Sequence, residues 1–160
     1  MHIYKIISAL LLTASAALAF TPTHLVIAES AALYDVDEDY DESHIVERLP
    51  YWTAVVAAPV APTEPPRTCC HVTLENGTAG FTEWENLGRA LAVVAEETTL
   101  SGVPQDVPLE VTRLKKGELV AYAPTDAAAS KPGFVEVLNA DGLRGWVPED
   151  ALEPTPVEGE

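Results

Sequence analysis

The chain has 160 residues, and 25 acidic side chains set against 9 Lys and Arg give it a formal net charge of -16. A surface this acidic repels nucleic acid, anionic lipid and polyanionic wall polymers, because each close contact would bring like charges together. These three classes of partner are therefore excluded.

Residues 1–19 have the layout of a secretory signal peptide. Lys5 lies in the short leading stretch, an apolar run begins at Ile6, and Ala17 and Ala19 form the small-x-small pattern that signal peptidase cleaves. The apolar run is too short to span a bilayer. We expect cleavage before Phe20, a secreted or periplasmic location, and no membrane contact after cleavage. An uncleaved anchor is the alternative, although no stop-transfer sequence follows the run.

The rest of the chain contains an internal repeat. ENGTAGFTEWENL at residues 75–87 matches ADGLRGWVPEDAL at residues 140–152 with an offset of 65, and VIAESAAL at residues 26–33 matches VVAEETTL at residues 93–100 with an offset of 67. A two-residue difference in one loop explains the change of offset. Self-similarity of this kind divides a chain into related units. We place them at residues 20–89 and 90–153, followed by an acidic, Pro-containing tail at residues 154–160.

Each half has the pattern of short β-strands. In the second half, ALAVVAE, LEVTRL, ELVAYA, FVEVL and LRGWV are separated by Gly-, Pro- and Asp-containing turns, and helical turns are confined to EWEN and PEDA. Such spacing is typical of a small barrel or sandwich. We predict an all-β fold in which each half closes as a five-stranded barrel, because closure removes exposed sheet edges.

Glycines mark the last hairpin of each half. Asn76-Gly77 and Asp141-Gly142 favour a two-residue turn with both central residues at positive φ. The glycines that follow, Gly80 and Gly145, are expected to allow a close backbone approach or a bulge.

The second half resembles the bacterial SH3 domain family (SH3b). The resemblance is carried by LKKG at residues 114–117, FVEV at residues 134–137 and GLRGWVPEDAL at residues 142–152, with Phe134 in place of the family's usual Trp. It covers residues 91–152 and implies an SH3-like barrel in each half. The first half is a degenerate copy in which Trp52 replaces the turn glycine. Because a bulky residue disfavours positive φ, we expect its strand to turn differently there.

The resemblance implies a ligand groove formed by exposed aromatic side chains near the loop after the first strand. Alternate strand residues face opposite sides, so Val135 and Val137 in the core would leave Phe134 and Glu136 on the outer face, near an exposed Trp146. The alternative is that the rings only pack over a small core. The candidate ligand-binding residues are Phe134, Trp146 and Glu136, with Phe81 and Tyr34 in the first half.

The acidic segment at residues 35–42 suggests a different kind of site. Tyr40 occupies the position of the turn glycine of an EF-hand, and Val46 that of its bidentate Glu, so the calcium-loop pattern fails. A solvated acidic loop that pairs with Arg or Lys of a partner is the favoured interpretation. Calcium is the alternative cofactor, and its ligands would be the alternating carboxylates Asp35, Asp37, Asp39 and Asp41.

Two adjacent cysteines lie on a predicted strand. Alternation places Cys70 on the core face with Val72, and Cys69 and His71 on the outer face. We expect free or mixed thiols first and an intermolecular disulfide through Cys69 second. A vicinal disulfide or copper comes last, because adjacent cysteines need a distorted peptide to bridge and a metal needs more ligands.

No catalytic motif is present in the sequence. Residues 20–160 contain only His24, His44 and His71, with no nucleophile elbow and no HExxH. We therefore expect an exported, non-catalytic module that binds a peptide or protein at the cell envelope, with a peptidoglycan peptide as one candidate. The alternatives are an adaptor or inhibitor subunit of an envelope enzyme, and a calcium-binding structural protein.

Overall fold

The fold is all-β, as predicted. The computed structural model describes residues 20–38, 40–59, 69–123 and 131–157, so the predicted signal peptide lies outside the described residues. Within these ranges every strand pairing is antiparallel. None of the helices in the described part of the chain is long and apolar enough to cross a membrane.

The first seven strands are β1 (His24–Val26), β2 (Ser30–Tyr34), β3 (Ile45–Pro50), β4 (Ala54–Pro59), β5 (Cys69–Leu74), β6 (Ala79–Glu83) and β7 (Leu87–Val93). The other six are β8 (Glu97–Ser101), β9 (Glu110–Lys115), β10 (Leu119–Tyr122), β11 (Phe134–Leu138), β12 (Arg144–Pro148) and β13 (Leu152–Pro154). Short 3-10 helices cover Glu42–His44, Trp84–Asn86 and Glu149–Ala151, and the last two confirm the predicted turns at EWEN and PEDA.

The strand order repeats along one continuous sheet. The hydrogen-bonded path is β3-β2-β6-β5-β4-β1-β7-β10-β11-β12-β8-β9, and β13 also pairs with β7. Each strand of the first half therefore has the same neighbours as the strand six positions later in the chain. β7 belongs to both halves. In the first half it is the last strand and pairs with β1, and in the second half it takes the place of β1 and pairs with β13.

The register of the pairing repeats as well. Val26 lies opposite Leu87, and Val93 lies opposite Leu152. The change of offset falls in one loop, since Tyr34 pairs with Ile45 across a loop at residues 35–44, whereas Ser101 pairs with Glu110 across a loop at residues 102–109. The first-half loop is longer by two residues.

The hydrogen-bonded sheet is not closed, so the predicted closure of each half into a five-stranded barrel is not confirmed. Its path ends on β3 at one side and on β9 at the other. Both edge strands carry charged residues, and β3 also ends in Pro50. Charged side chains and proline discourage pairing with a further strand, so an open edge is tolerated without closure.

Two apolar clusters form the core, one in each half. Their buried side chains occupy equivalent positions of the repeat: Val26, Leu33, Leu49, Val55, Val72 and Leu87 in the first, and Val93, Leu100, Leu114, Val120, Val137 and Leu152 in the second. Each buried Leu or Val contributes about 1.5–3 kcal/mol relative to its exposed state. A third, smaller cluster of Leu25, Ala90 and Ala121 lies where β1, β7 and β10 meet.

Trp52 makes the same turn as its glycine counterpart, so the prediction of a different turn was wrong. Its φ is 72°, against 88° at Gly117, and both backbone N–H groups donate to equivalent carbonyls, Val26 at 2.8 Å and Val93 at 2.9 Å. The indole packs against the third cluster. A left-handed conformation costs a non-glycine residue about 1–2 kcal/mol, and the burial of the ring offsets it.

The two final hairpins differ from the predicted two-residue turn. Gly77 and Gly142 have positive φ, whereas Asn76 and Asp141 do not. The N–H of Leu74 donates to Thr78 at 2.8 Å, which closes a three-residue loop of the kind that ends in a left-handed glycine.

The predicted close approach at Gly80 and Gly145 is confirmed. A Cβ atom at either position would lie 2.6 Å from a backbone oxygen, that of Tyr34 or that of Ser101. Only glycine fits where β6 passes β2 and β12 passes β8.

Candidate ligand-binding groove

A groove of about 760 Å³ lies on the outer face of the second half. Phe134 and Trp146 both line it, on the face opposite the buried Val137 and Val147. The volume is within the usual range for a small-ligand or peptide side-chain site. Strand alternation thus brings together the two aromatic residues that the sequence singled out.

The loop at residues 102–109 forms one wall of the groove. The Ser101 hydroxyl donates to the carbonyl of Val103 at 2.8 Å and accepts from the N–H of Leu109 at 3.0 Å. The N–H of Gly102 donates to the carbonyl of Leu109 at 2.8 Å. These bonds hold the wall in place, and a preformed groove reduces the entropy that a ligand must offset on binding.

Trp146 is more buried than the sequence suggested. The residue is 8% exposed, although it lines the groove. Phe134 is half-buried, and the Lys131 ammonium lies 5.7 Å from its ring centroid. Phe134 therefore presents more ring surface to a ligand than Trp146 does.

Carboxylates give the groove a negative potential. Asp106 lies in the loop wall, and Glu149 and Asp150 lie in the 3-10 turn on the other side. The lining contains no Lys or Arg among the described residues. Even against the Lys131 ammonium beside Phe134, the three carboxylates leave a net negative charge around the groove, which favours a cationic ligand. Sequence reasoning missed these residues, although Glu149 and Asp150 follow Trp146 closely in the chain.

Glu136 lies beside the groove without lining it. It faces Trp146 across β11 and β12, but its carboxylate pairs with the Arg144 guanidinium at 3.4 Å. Its side chain is 13% exposed. This ion pair links β11 and β12 on the outer face.

Tyr34 and Phe81 are partners across β2 and β6 in the first half, as Ser101 and Trp146 are in the second. The Tyr34 ring lies 4.5 Å from that of Tyr40, and the Phe81 ring lies 5.4 Å from that of His71. The two predicted first-half residues thus share one aromatic surface, which is separate from the groove.

The acidic segment makes local contacts. Asp35 pairs with His44 at 2.9 Å, and Asp41 accepts the N–H of Ser43 at 2.8 Å as the cap of the first 3-10 helix. The hydrogen bond from the Ser43 hydroxyl lowers the pKa of Asp41. Asp39 lies outside the described residues. Within the described ranges, no group of three or more His, Cys, Asp or Glu side chains is placed to hold a metal ion.

Cys69 and Cys70 are not joined to each other, and both are buried. Cys70 lies in the core, and burial together with the neighbouring Cys69 raises its pKa to about 12. Cys69 was expected to be exposed, but it is 3% exposed, because the loop at residues 35–44 covers it and its thiol lies 3.7 Å from the carbonyl oxygen of Asp37. This burial contradicts the expected accessibility for an intermolecular disulfide.

No protein-family model matches the sequence, and no curated protein matches it. Two solved structures from Trichomonas vaginalis are similar to the chain, both with a TM-score of 0.35. NlpC1 is 15% identical, with 92% of this chain and 50% of that chain covered. NlpC2 is 13% identical, with 84% of this chain and 48% of that chain covered. The chain thus spans about half the length of each.

Proposed function

We propose that this chain is an exported, non-catalytic binding module that holds a cationic peptide segment in the Phe134–Trp146 groove. The observation that carries the proposal is the groove itself, where two aromatic rings and three carboxylates line one preformed cavity. Aromatic surface supplies apolar contact area, and the carboxylates select a Lys or Arg side chain.

Each half is proposed to be an SH3-like unit that is open at one sheet edge. The support is the repeated strand order and register, together with the SH3b-like residues at 114–117 and 142–152. The signal-like layout of residues 1–19 supports export to the periplasm or the exterior. The ligand is then a peptide or protein of the cell envelope, and a peptidoglycan peptide that bears a free amine is one candidate.

The proposal is tested by titration calorimetry with a blocked Pro-Lys-Tyr-Lys-Pro pentapeptide. Phe134→Ala is preferred to Trp146→Ala, because removal of a buried indole costs about 3–5 kcal/mol and endangers the fold. A second variant neutralises the three carboxylates with Asp106→Asn, Glu149→Gln and Asp150→Asn. Each variant is expected to lose at least about tenfold in affinity, since an aromatic or charged contact contributes on the order of 1.4 kcal/mol.

Tyr122→Ala is the matched control, because Tyr122 is an exposed aromatic residue on β10 that does not line the groove. It should bind as the native chain does. If the groove variants also bind as this control does, the proposal is wrong.

Sedimentation with peptidoglycan sacculi then identifies the source of the ligand. Binding to a wall peptide predicts that the native chain pellets with sacculi and that Phe134→Ala stays in the supernatant. A native chain that binds the pentapeptide but does not pellet is instead an adaptor or inhibitor for a protein partner.

A further inference from the structure

We propose that the first half carries a second groove of the same kind, and that Tyr40 of the chain's own loop occupies it as a resident ligand. Only the class of ligand assigned to this second groove rests on the function proposed above. The occupancy by Tyr40 rests on the repeat and on contacts within the first half.

The repeat places the two surfaces in equivalent positions. Tyr34 and Phe81 pair across β2 and β6 as Ser101 and Trp146 pair across β8 and β12. Cys69 begins β5 as Phe134 begins β11, and each lies opposite the last residue of the next strand, Glu83 or Pro148. The floor of the groove in the second half thus has a counterpart in the first half made of Tyr34, Phe81 and Cys69.

The loop that forms the wall differs between the halves. The loop at residues 102–109 is held back by Ser101, so the Phe134 and Trp146 rings line an open cavity. The loop at residues 35–44 is longer by two residues, and it places the Tyr40 ring 4.5 Å from that of Tyr34, at an interplanar angle of 31°. An aromatic side chain of the loop therefore lies over the floor that is open in the other half.

Polar contacts fix Tyr40 in this position. Its hydroxyl donates to the carbonyl of Asp37 at 3.3 Å. Burial raises the pKa of Tyr40, and a side-chain hydrogen bond with Cys69 raises it further. Cys69 faces the side of the strand opposite the core residue Cys70, yet it is only 3% exposed. The loop therefore covers the floor as a bound side chain would.

The surroundings of Tyr40 indicate what would replace it. Glu83 lies opposite Cys69 across β5 and β6, and Glu85 is the repeat counterpart of Asp150, which lines the groove of the second half. The two carboxyls share a hydrogen bond that raises the pKa of Glu83. A cation next to these groups would stabilise their charged forms. The ligand class is therefore a peptide that inserts an aromatic side chain in place of Tyr40 and brings a Lys or Arg against Glu83 and Glu85.

Occupancy is tested without any ligand by the rate at which N-ethylmaleimide alkylates Cys69. The measurement uses the full folded chain with Cys70→Ala, so that Cys69 is the only thiol. Tyr40→Ala is expected to raise the rate by about tenfold, because removal of the ring contact makes local opening of the loop easier. Tyr40→Phe, which keeps the ring, should raise it less, and Tyr122→Ala in the second half should leave it unchanged.

Near-ultraviolet circular dichroism of each variant shows whether the fold is kept. If folded Tyr40→Ala and Tyr40→Phe both react at the rate of the parent, Tyr40 does not cover the floor and the proposal is overturned.

The ligand class is tested by calorimetry with the Pro-Lys-Tyr-Lys-Pro pentapeptide in a Phe134→Ala background, where the groove of the second half is impaired. Addition of Tyr40→Ala should create one equivalent of binding that the background lacks. Accelerated alkylation without this new equivalent overturns the assignment of a ligand groove to the first half. Failure of the function proposed above is distinct, because it is a failure of the native chain to bind through Phe134.

Discussion

At the single residue Trp52, burial of the ring offsets the strain of a left-handed backbone. This explains how the first half tolerates the loss of a turn glycine. The backbone there is left-handed, and the indole packs against the cluster of Leu25, Ala90 and Ala121. The neighbouring Tyr51 hydroxyl donates to the carbonyl of Asn139 in the second half at 2.7 Å. The Trp52 ring adds to the contact between the halves, which a glycine at this position would not do.

The opposing effects of ring burial and backbone strain predict that a glycine at position 52 is more stable than an alanine. Trp52→Gly loses ring packing of about 2 kcal/mol but relieves the strain. Trp52→Ala loses the packing and keeps the strain, so it should be less stable than Trp52→Gly by about 1 kcal/mol. Urea denaturation measures both differences. Gly117→Ala is the control, because it adds strain of about 1 kcal/mol without removing a ring. An alanine variant as stable as the glycine variant would show that the backbone at position 52 is not left-handed.

At the scale of strands, β7 connects the two halves. Leu87, Gly88 and Arg89 pair with β1, and the following residues pair with β10 and β13. The boundary predicted between residues 89 and 90 falls inside this strand. The Arg89 guanidinium donates to the carbonyl of Thr23 and to the hydroxyl of Thr155, both at 2.7 Å. β7 therefore also holds the residue before β1 and the residue after β13.

Gly88 is the position on β7 where added volume should be least tolerated. A Cβ atom there would lie 2.7 Å from the carbonyl oxygen of Tyr122, which is backbone and cannot move aside easily. We expect Gly88→Ala to lower the free energy of unfolding by about 1–3 kcal/mol. Gly102→Ala is the matched control, since its nearest neighbour would be 3.5 Å away, and it should change stability by less than about 0.5 kcal/mol. Equal stability of the two variants, measured by thermal or urea unfolding, would contradict this packing.

The strands could be predicted from the sequence because their signals are local. Turn residues and the repeat located most of the strands, and period-two alternation placed Phe134 on the outer face with Trp146. The burial of Cys69 could not be predicted, because it depends on where the loop at residues 35–44 lies, and Asp37 of this loop is 32 positions away in the chain. The acidic lining was missed for the same reason, since Asp106 and Asp150 meet only across the folded groove.

At the scale of the whole molecule, two related halves present different outer faces. The second half has an open groove with an acidic lining, whereas the equivalent floor of the first half lies under Tyr40. The strong negative charge of the chain adds a long-range attraction for a basic partner, which decreases as salt is added. We therefore expect ligand binding to begin at the second half and to weaken with ionic strength.

Nuclear magnetic resonance of the indole N–H groups shows whether a ligand occupies the groove lined by Phe134 and Trp146. The chain contains three tryptophans, so Trp52 and Trp84 serve as internal references. On titration with the Pro-Lys-Tyr-Lys-Pro pentapeptide, we expect the Trp146 indole resonance to shift and the other two to stay in place. Movement of Trp52 or Trp84 with Trp146 unchanged, or no movement of any of the three, would contradict this expectation.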